Sequence, residues 1–169
     1  MHTFQPFSIN EIDDLNPFNK IGKEWALVTA GSKHEANCMT VSWGGLGVMW
    51  GKNAAFIFIR DSRYTKEFID NGDVFSIAFF DESYRDALNY CGSHSGRDVN
   101  KFDEANLTLS SKHGIPFPDE ANLVLICKKM AAVPITEEQL CDKGLKKKFY
   151  SDNDMHTMYI GEILETMAR

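Results

Sequence analysis

The stretch Asn37-Cys38-Met39-Thr40-Val41-Ser42-Trp43-Gly44-Gly45-Leu46-Gly47 sets two small hydroxyls beside an aromatic ring and then runs into glycines. It starts like a strand, with Met39, Val41 and Trp43 on one face and Thr40 and Ser42 on the other. Glycine lets a ligand approach the backbone closely, so the segment suits a flat ligand lying along it. Further on comes Arg60-Asp61-Ser62-Arg63-Tyr64-Thr65-Lys66, at the end of a predicted strand and the start of a helix. Guanidinium groups pair bidentately with phosphate oxygens, hydroxyls add bonds, and free amides at a helix start favour an anion. Arg60, Ser62, Arg63, Thr65 and Lys66 are therefore candidates for a phosphate. The plainer reading of the cluster is a solvated turn with Thr65 as a helix cap. Taken together, the two segments read as one anion-tipped cofactor site and point to a flavin.

Competing chemistries fail on spacing. Gly44, Gly45 and Gly47 do not have the dinucleotide-binding spacing, and no Gly-Lys-Ser/Thr ends the run as a P-loop requires. Their plain reading is a glycine-rich turn between strands, with Trp43 and Trp50 in the core. Cys91 and His94 have the spacing of half a zinc site, with no second half visible. Gly92 to Gly96 resembles a nucleophile elbow, but its centre is His94 rather than serine. The loop Ser95-Gly96-Arg97-Asp98-Val99-Asn100-Lys101-Phe102 is otherwise polar and caps a helix. His156 follows Asp154 and Met155 into a final strand-like run. Lys146, Lys147 and Lys148 beside Phe149 and Tyr150 read as an exposed face.

The elements that position these residues are mostly strands. Strand-like apolar patterns cover Trp25 to Ala30, Asn37 to Trp43, Ala54 to Arg60, Val74 to Phe80, Asn122 to Val133 and Met155 to Met167. Short helices are predicted over Thr65 to Asn71, stopped by Gly72, and over Ser83 to Tyr90, ended by Gly92. Asp98 to Ala105 adds a turn or two, and Thr136-Glu137-Glu138-Gln139 has the capping-box pattern. Strands that do not alternate with helices argue for an antiparallel barrel with helical insertions.

The totals agree with one such domain. A chain of 169 residues, 43% hydrophobic and 25% charged, has the composition of an ordinary globular protein. Its net charge of −6 argues against a nucleic-acid partner, so an anionic ligand needs a local positive cluster. No apolar run is long enough to span a bilayer, and Met1 to Asp14 lacks the features of a signal peptide. Four cysteines without paired spacing read as reduced thiols, and the expected location is the cytoplasm.

From about Asn16 to Gly161 the chain resembles the flavin reductase-like family of FMN-binding split barrels, most closely its flavoredoxin-like branch. The resemblance rests on Asn37–Gly47, Arg60–Thr65, Ser95–Phe102, and His156 ahead of Tyr159-Ile160-Gly161-Glu162. It implies a six-stranded antiparallel Greek-key barrel with helical insertions, paired as a homodimer, with FMN near the interface. By the same resemblance Met39, Thr40, Val41, Ser42 and Trp43 run along the isoalloxazine and ribityl chain. Arg60, Ser62, Arg63 and Thr65, with Lys66, lie nearest the phosphate, and Ser95, Gly96, Arg97 and Lys101 border the flavin. Relatives tend to carry proline where this chain has Asp61, whose carboxylate weakens the positive field unless it pairs with Arg60 or Arg63.

The implied activity is hydride transfer from NADH or NADPH to flavin N5, with electrons passed on to another acceptor. The expected catalytic residues are His156, near the flavin or incoming nicotinamide, and Thr40, whose hydroxyl would tune the flavin by hydrogen bonding. Two other readings stand beside this one. The first is an FMN-holding electron carrier that serves a protein partner without substantial nicotinamide turnover. The second is a split barrel that has lost its cofactor and serves as a binding module.

Overall fold

A computed structural model describes residues 1–9 and 15–169. The last five residues of the segment Met1 to Asp14, read above for a signal sequence, lie outside those residues. Strands β1 (Gln5–Phe7), β2 (Ala26–Gly31), β3 (Ala36–Val41), β4 (Gly44–Met49), β5 (Lys52–Arg60) and β6 (Val74–Phe79) occupy the first half. The second half holds β7 (Leu109–Lys112), β8 (Ile115–Pro118), β9 (Leu123–Pro134) and β10 (His156–Ala168). Between them come helices α1 (Pro17–Lys20), α2 (Tyr64–Asn71), α3 (Arg85–Ser93), α4 (Lys101–Glu104) and α5 (Gly144–Phe149).

Seven strands form one antiparallel sheet in the order β3-β2-β6-β9-β10-β5-β4, and β1 adds to β10 as the eighth. The two ends of that order are β3 and β4, yet only Ser42 and Trp43 separate them in sequence. Three Cα steps of ~3.8 Å leave the two edges within roughly 11 Å of each other. The sheet therefore has to curl into a barrel whose open seam is bridged by Ser42–Trp43. All six predicted strands are present; β4 and β1 raise the sheet to eight. The glycine run Gly44 to Gly47 was expected as a turn and instead belongs to strand β4, paired with β5. Three glycines hid it, because side-chain alternation is the signal that reveals a strand.

Apolar runs in the central strands are continuous because both faces are covered. Val28, Met39, Ile77 and Leu125 point into the barrel with Phe75, Ile57 and Tyr159. Their neighbours Leu27, Cys38, Ala78 and Ile126 point outward, against Leu88 and Cys91 of α3 and Phe117 of β8. The chain between β6 and β9 thus supplies a second, outer core. Inside, Gly161 sits where an added Cβ would come within 2.6 Å of Phe75 Cζ and 3.1 Å of Cys127 Cβ. Gly161→Ala should therefore destabilise the protein by about 1–3 kcal/mol, the usual cost of overpacking. Urea unfolding measures this, and an unchanged midpoint would mean that Phe75 rotates aside freely.

Local differences have local causes. Helix α2 starts one residue early, with Arg63 as its N-cap, because the Thr65 hydroxyl faces inward to Asn37 and cannot cap. Helix α3 runs past Gly92 to Ser93, its start delayed to Arg85 by a 3-10 turn over Glu82–Tyr84. The helix expected over Asp98 to Ala105 is α4 alone, capped by Asn100. Thr136 forms the predicted capping box. Trp50, expected in the core, is 60% exposed at the β4–β5 hairpin tip. Tyr150 was expected on an exposed face beside the lysines and is buried.

Candidate functional site

The barrel seam is where the opening segment meets the arginine cluster. Among the described strands β3 pairs with β2 alone, so no strand covers its outer edge along the seam. A groove of about 200 Å³ lies there, lined by Met39 to Trp43, Phe58, Arg60, Arg63 and His156. The strand register explains the convergence, since His156 at the start of β10 stands opposite Arg60 at the end of β5.

Trp43 and His156 form one wall. Their rings lie 5.0 Å apart at 36°, and Phe149 meets Trp43 edge-on at 5.2 Å. Trp43 remains 40% exposed, a large aromatic face turned to solvent. His156 is buried and its Nδ1 is 3.0 Å from the Tyr150 hydroxyl. Burial, then the Arg60 charge, pushes the His156 pKa down to about 4, although Asp154 and Asp61 oppose this. The ring is therefore neutral at pH 7. Neither Tyr150 nor Phe58 was a site candidate from sequence; Tyr150 lies six residues before His156, behind an intervening loop.

The phosphate candidates are spread over several tasks. Arg60 donates to Asp154 O at 2.8 Å and Phe149 O at 2.9 Å, and approaches the carboxylates of Asp152 and Asp154. It ties down the loop that carries Tyr150 while also lining the groove. Ser62 donates its hydroxyl to Asp154 Oδ2 at 2.7 Å, and its amide donates to Oδ1. Lys66 pairs with Asp70 at 2.8 Å and with Asp61 at 3.8 Å. Asp61 is thus compensated by Lys66 rather than by Arg60 or Arg63. Thr65 is buried and accepts from Asn37 Nδ2. Arg63 donates to Gly92 O at 2.9 Å and turns the rest of its side chain along the groove.

Thr40 is also partly committed. Its hydroxyl donates to Leu88 O at 2.6 Å, joining β3 to α3 and leaving only oxygen lone pairs for a ligand. The Ser95–Phe102 loop borders a separate cavity of about 700 Å³, whose lining includes Asn37, Tyr64, Gly96, Arg97 and Lys101. Arg97 lies 4.8 Å over the Tyr64 ring, donates to Ser62 O and pairs with Glu67. Ser95 Oγ accepts from the Arg97 amide. Lys101 is buried, with its ammonium on backbone carbonyls. The structure therefore gathers Met39 to Trp43, Arg60, Arg63 and His156 in one groove. Gly96, Arg97 and Lys101 gather in a neighbouring cavity, and Thr65 is enclosed. No three His, Cys, Asp or Glu side chains among the described residues are grouped to hold a metal ion.

The family model for the flavin reductase like domain matches residues 18–169, which include the barrel, its seam and every residue lining the groove. The chain belongs to the flavin reductase-like family. Solved structures agree with this member's fold. A flavoredoxin from Methanosarcina acetivorans is 21% identical over 86% of this chain and 68% of its own, with a TM-score of 0.69. The FMN-binding domain of a flavin reductases-like enzyme from Shewanella baltica is 18% identical, covering 98% and 77%, at 0.71. The styrene monooxygenase flavin reductase from Pseudomonas putida is 14% identical, covering 86% and 79%, at 0.62. No curated protein matches this flavin reductase-like chain. None of its described helices is long and apolar enough to cross a membrane.

Proposed function

We propose that the seam groove holds FMN and that the protein moves electrons from NADH or NADPH through it to an acceptor. The observation that carries this reading is the unpaired edge of β3 running along a groove that also presents Trp43, His156 and Arg63. The donor set fits the group: backbone amides for a heteroaromatic edge, an aromatic face for stacking, and a guanidinium for the phosphate. Structural neighbours named as FMN-binding and as flavin reductases support the same cofactor. When bound, the flavin supplies the hydride and electron chemistry.

The chain's own residues bind, orient and hold protons in place. Amides of β3 fix the ring edge, and Thr40 offers an acceptor whose position is set by its bond to Leu88 O. His156, kept neutral by burial and Arg60, presents an uncharged ring to the groove. Arg63 anchors the anionic end. A groove of about 200 Å³ is smaller than the ~300–1,000 Å³ of typical small-molecule sites. A second copy of the chain that completes the wall accounts for that shortfall, and the active form is accordingly a homodimer. Reduced thiols, three of them buried, suit the cytoplasm.

Similarity to flavoredoxins favours a second reading, an FMN electron carrier without substantial nicotinamide turnover. One experiment separates the two: absorbance spectra of the purified protein before and after NADH and NADPH. Flavin bands that bleach on nicotinamide addition and recover with an acceptor support the reductase. Flavin bands indifferent to both nicotinamides support the carrier. Colourless protein that takes up no added FMN defeats both.

A further inference from the structure

Behind the groove, in the outer core, two thiols meet. Cys38 on β3 directs its S–H at Cys91 Sγ on α3, 3.8 Å away, and neither residue is solvent-accessible. The plain account treats both as small apolar fillers, as Cys127 is inside the barrel, where burial alone pushes the thiol up. Lys101 sets the pair apart from Cys127. Its ammonium, in a side chain 4% exposed, donates to Cys38 O at 2.9 Å and to Cys91 O at 2.7 Å. Both described partners are neutral carbonyls, and burial pushes this lysine's pKa down while the two thiols oppose it. The two carbonyls satisfy its hydrogen bonds but not its charge, and the two thiols are the groups whose ionisation would favour that charge. The bond from Cys38, with the nearby ammonium, holds the Cys91 thiol below its ordinary value against burial. The same bond and burial push Cys38 up. The arrangement has one thiol eased toward ionisation, one held back from it, and a lysine fixed beside both, the ingredients of a reactive dithiol.

We propose that Cys38 and Cys91 are an oxidisable pair, Cys91 attacking and Cys38 resolving, which hydrogen peroxide converts to an intrachain disulfide between β3 and α3. In the first step the Cys91 thiolate attacks one peroxide oxygen and the O–O bond breaks. Cys91 becomes a sulfenic acid, and the hydroxide that leaves takes up the proton Cys91 had released, forming water. In the second, Cys38 sulfur attacks Cys91 sulfur, the S–O bond breaks, and the Cys38 proton leaves with the hydroxyl as a second water. Two thiols are oxidised and one peroxide is reduced to two waters. The sulfurs must close from 3.8 Å to the ~2.05 Å of a disulfide. The backbones that carry the two sulfurs are tied together by Lys101 and by the Thr40 bond to Leu88 O, so that movement is assigned to the side chains. The product staples α3 to β3 directly behind Met39–Trp43. This inference stands whether or not the groove holds a flavin.

Burial makes the reaction slower than that of exposed Cys141, so the test uses the full chain carrying Cys141→Ser. After hydrogen peroxide, the intact mass should fall by two hydrogens. Tryptic peptides 34–52 and 86–97 should be found joined, and dithiothreitol should separate them. Adding Cys38→Ser should let dimedone trap a sulfenic acid on Cys91, whereas Cys91→Ser should leave Cys38 unmodified by dimedone. Peptides that remain separate, or oxygen adducts spread equally over Cys38, Cys91 and Cys127, would overturn the proposal. Dimedone on Cys38 in the Cys91→Ser protein would overturn the assigned order of attack.

Discussion

Arg63→Ala is expected to weaken FMN retention by about tenfold to a hundredfold, the loss of one charge-assisted hydrogen-bonding group worth about 1.5–3 kcal/mol. Of the cations predicted near the phosphate, Arg63 is the one with the most freedom to bind it. Arg60 is engaged by Asp154 O, Phe149 O and two carboxylates, and Lys66 is paired with Asp70. Arg63 gives a single described bond, to Gly92 O, and lines the groove. Equilibrium dialysis or flavin fluorescence quenching reads the affinity. Arg63→Lys keeps the charge but not the fork, and belongs between alanine and the native protein. Because the Gly92 bond is lost as well, thermal unfolding without FMN should be compared. Unchanged FMN affinity in a folded Arg63→Ala protein removes this residue from the site.

Arg60 should show its weight differently, through stability and through His156. Arg60→Met leaves Phe149 O and Asp154 O without their donor and frees the loop beneath Tyr150, at a cost of about 2–3 kcal/mol. It also removes a charge that holds the His156 pKa down, so that pKa should rise from about 4 toward the ordinary histidine value. NMR titration of the imidazole measures both proteins. The native His156 is depressed in the folded state relative to an unfolded histidine near 6.5. Between those values the unfolded chain binds a proton that the folded chain does not. Its contribution to stability is therefore complete above pH 6.5 and is lost as pH falls toward 4. Urea unfolding should show that loss in the native protein and a smaller one in His156→Gln. A native His156 that titrates near 6.5 would end the assignment of a neutral, buried ring.

The six long strands were legible because each carries apolar residues dense enough to mark it without knowledge of its neighbours. Cys38-Met39, Ile77-Ala78 and Leu125-Ile126 are read as strand whichever face they serve, and the structure puts one of each pair in the inner core and one in the outer. Strand β4 escaped because glycines leave no side-chain pattern, although its backbone pairs fully with β5. Trp50 and Tyr150 exchanged their expected places for a similar reason. A residue's type says what it prefers, whereas its burial depends on a hairpin tip or a loop anchored from elsewhere.

The same division runs through the site. By itself the sequence determined which chemistry is present: hydroxyls and an aromatic before a glycine run, then a cluster of cations, a pattern that resembles the flavin reductase-like family. Spacing along the chain also excluded a P-loop and a dinucleotide fingerprint. Only the tertiary structure decided which of those groups are free to use. Hydrogen bonds between distant residues commit Thr65 to Asn37, Ser62 to Asp154, Lys101 to two carbonyls and the Thr40 proton to Leu88. Hydrogen bonds satisfied inside the protein are spent, and their partners lie from 10 to 92 residues away, where no local pattern reports them.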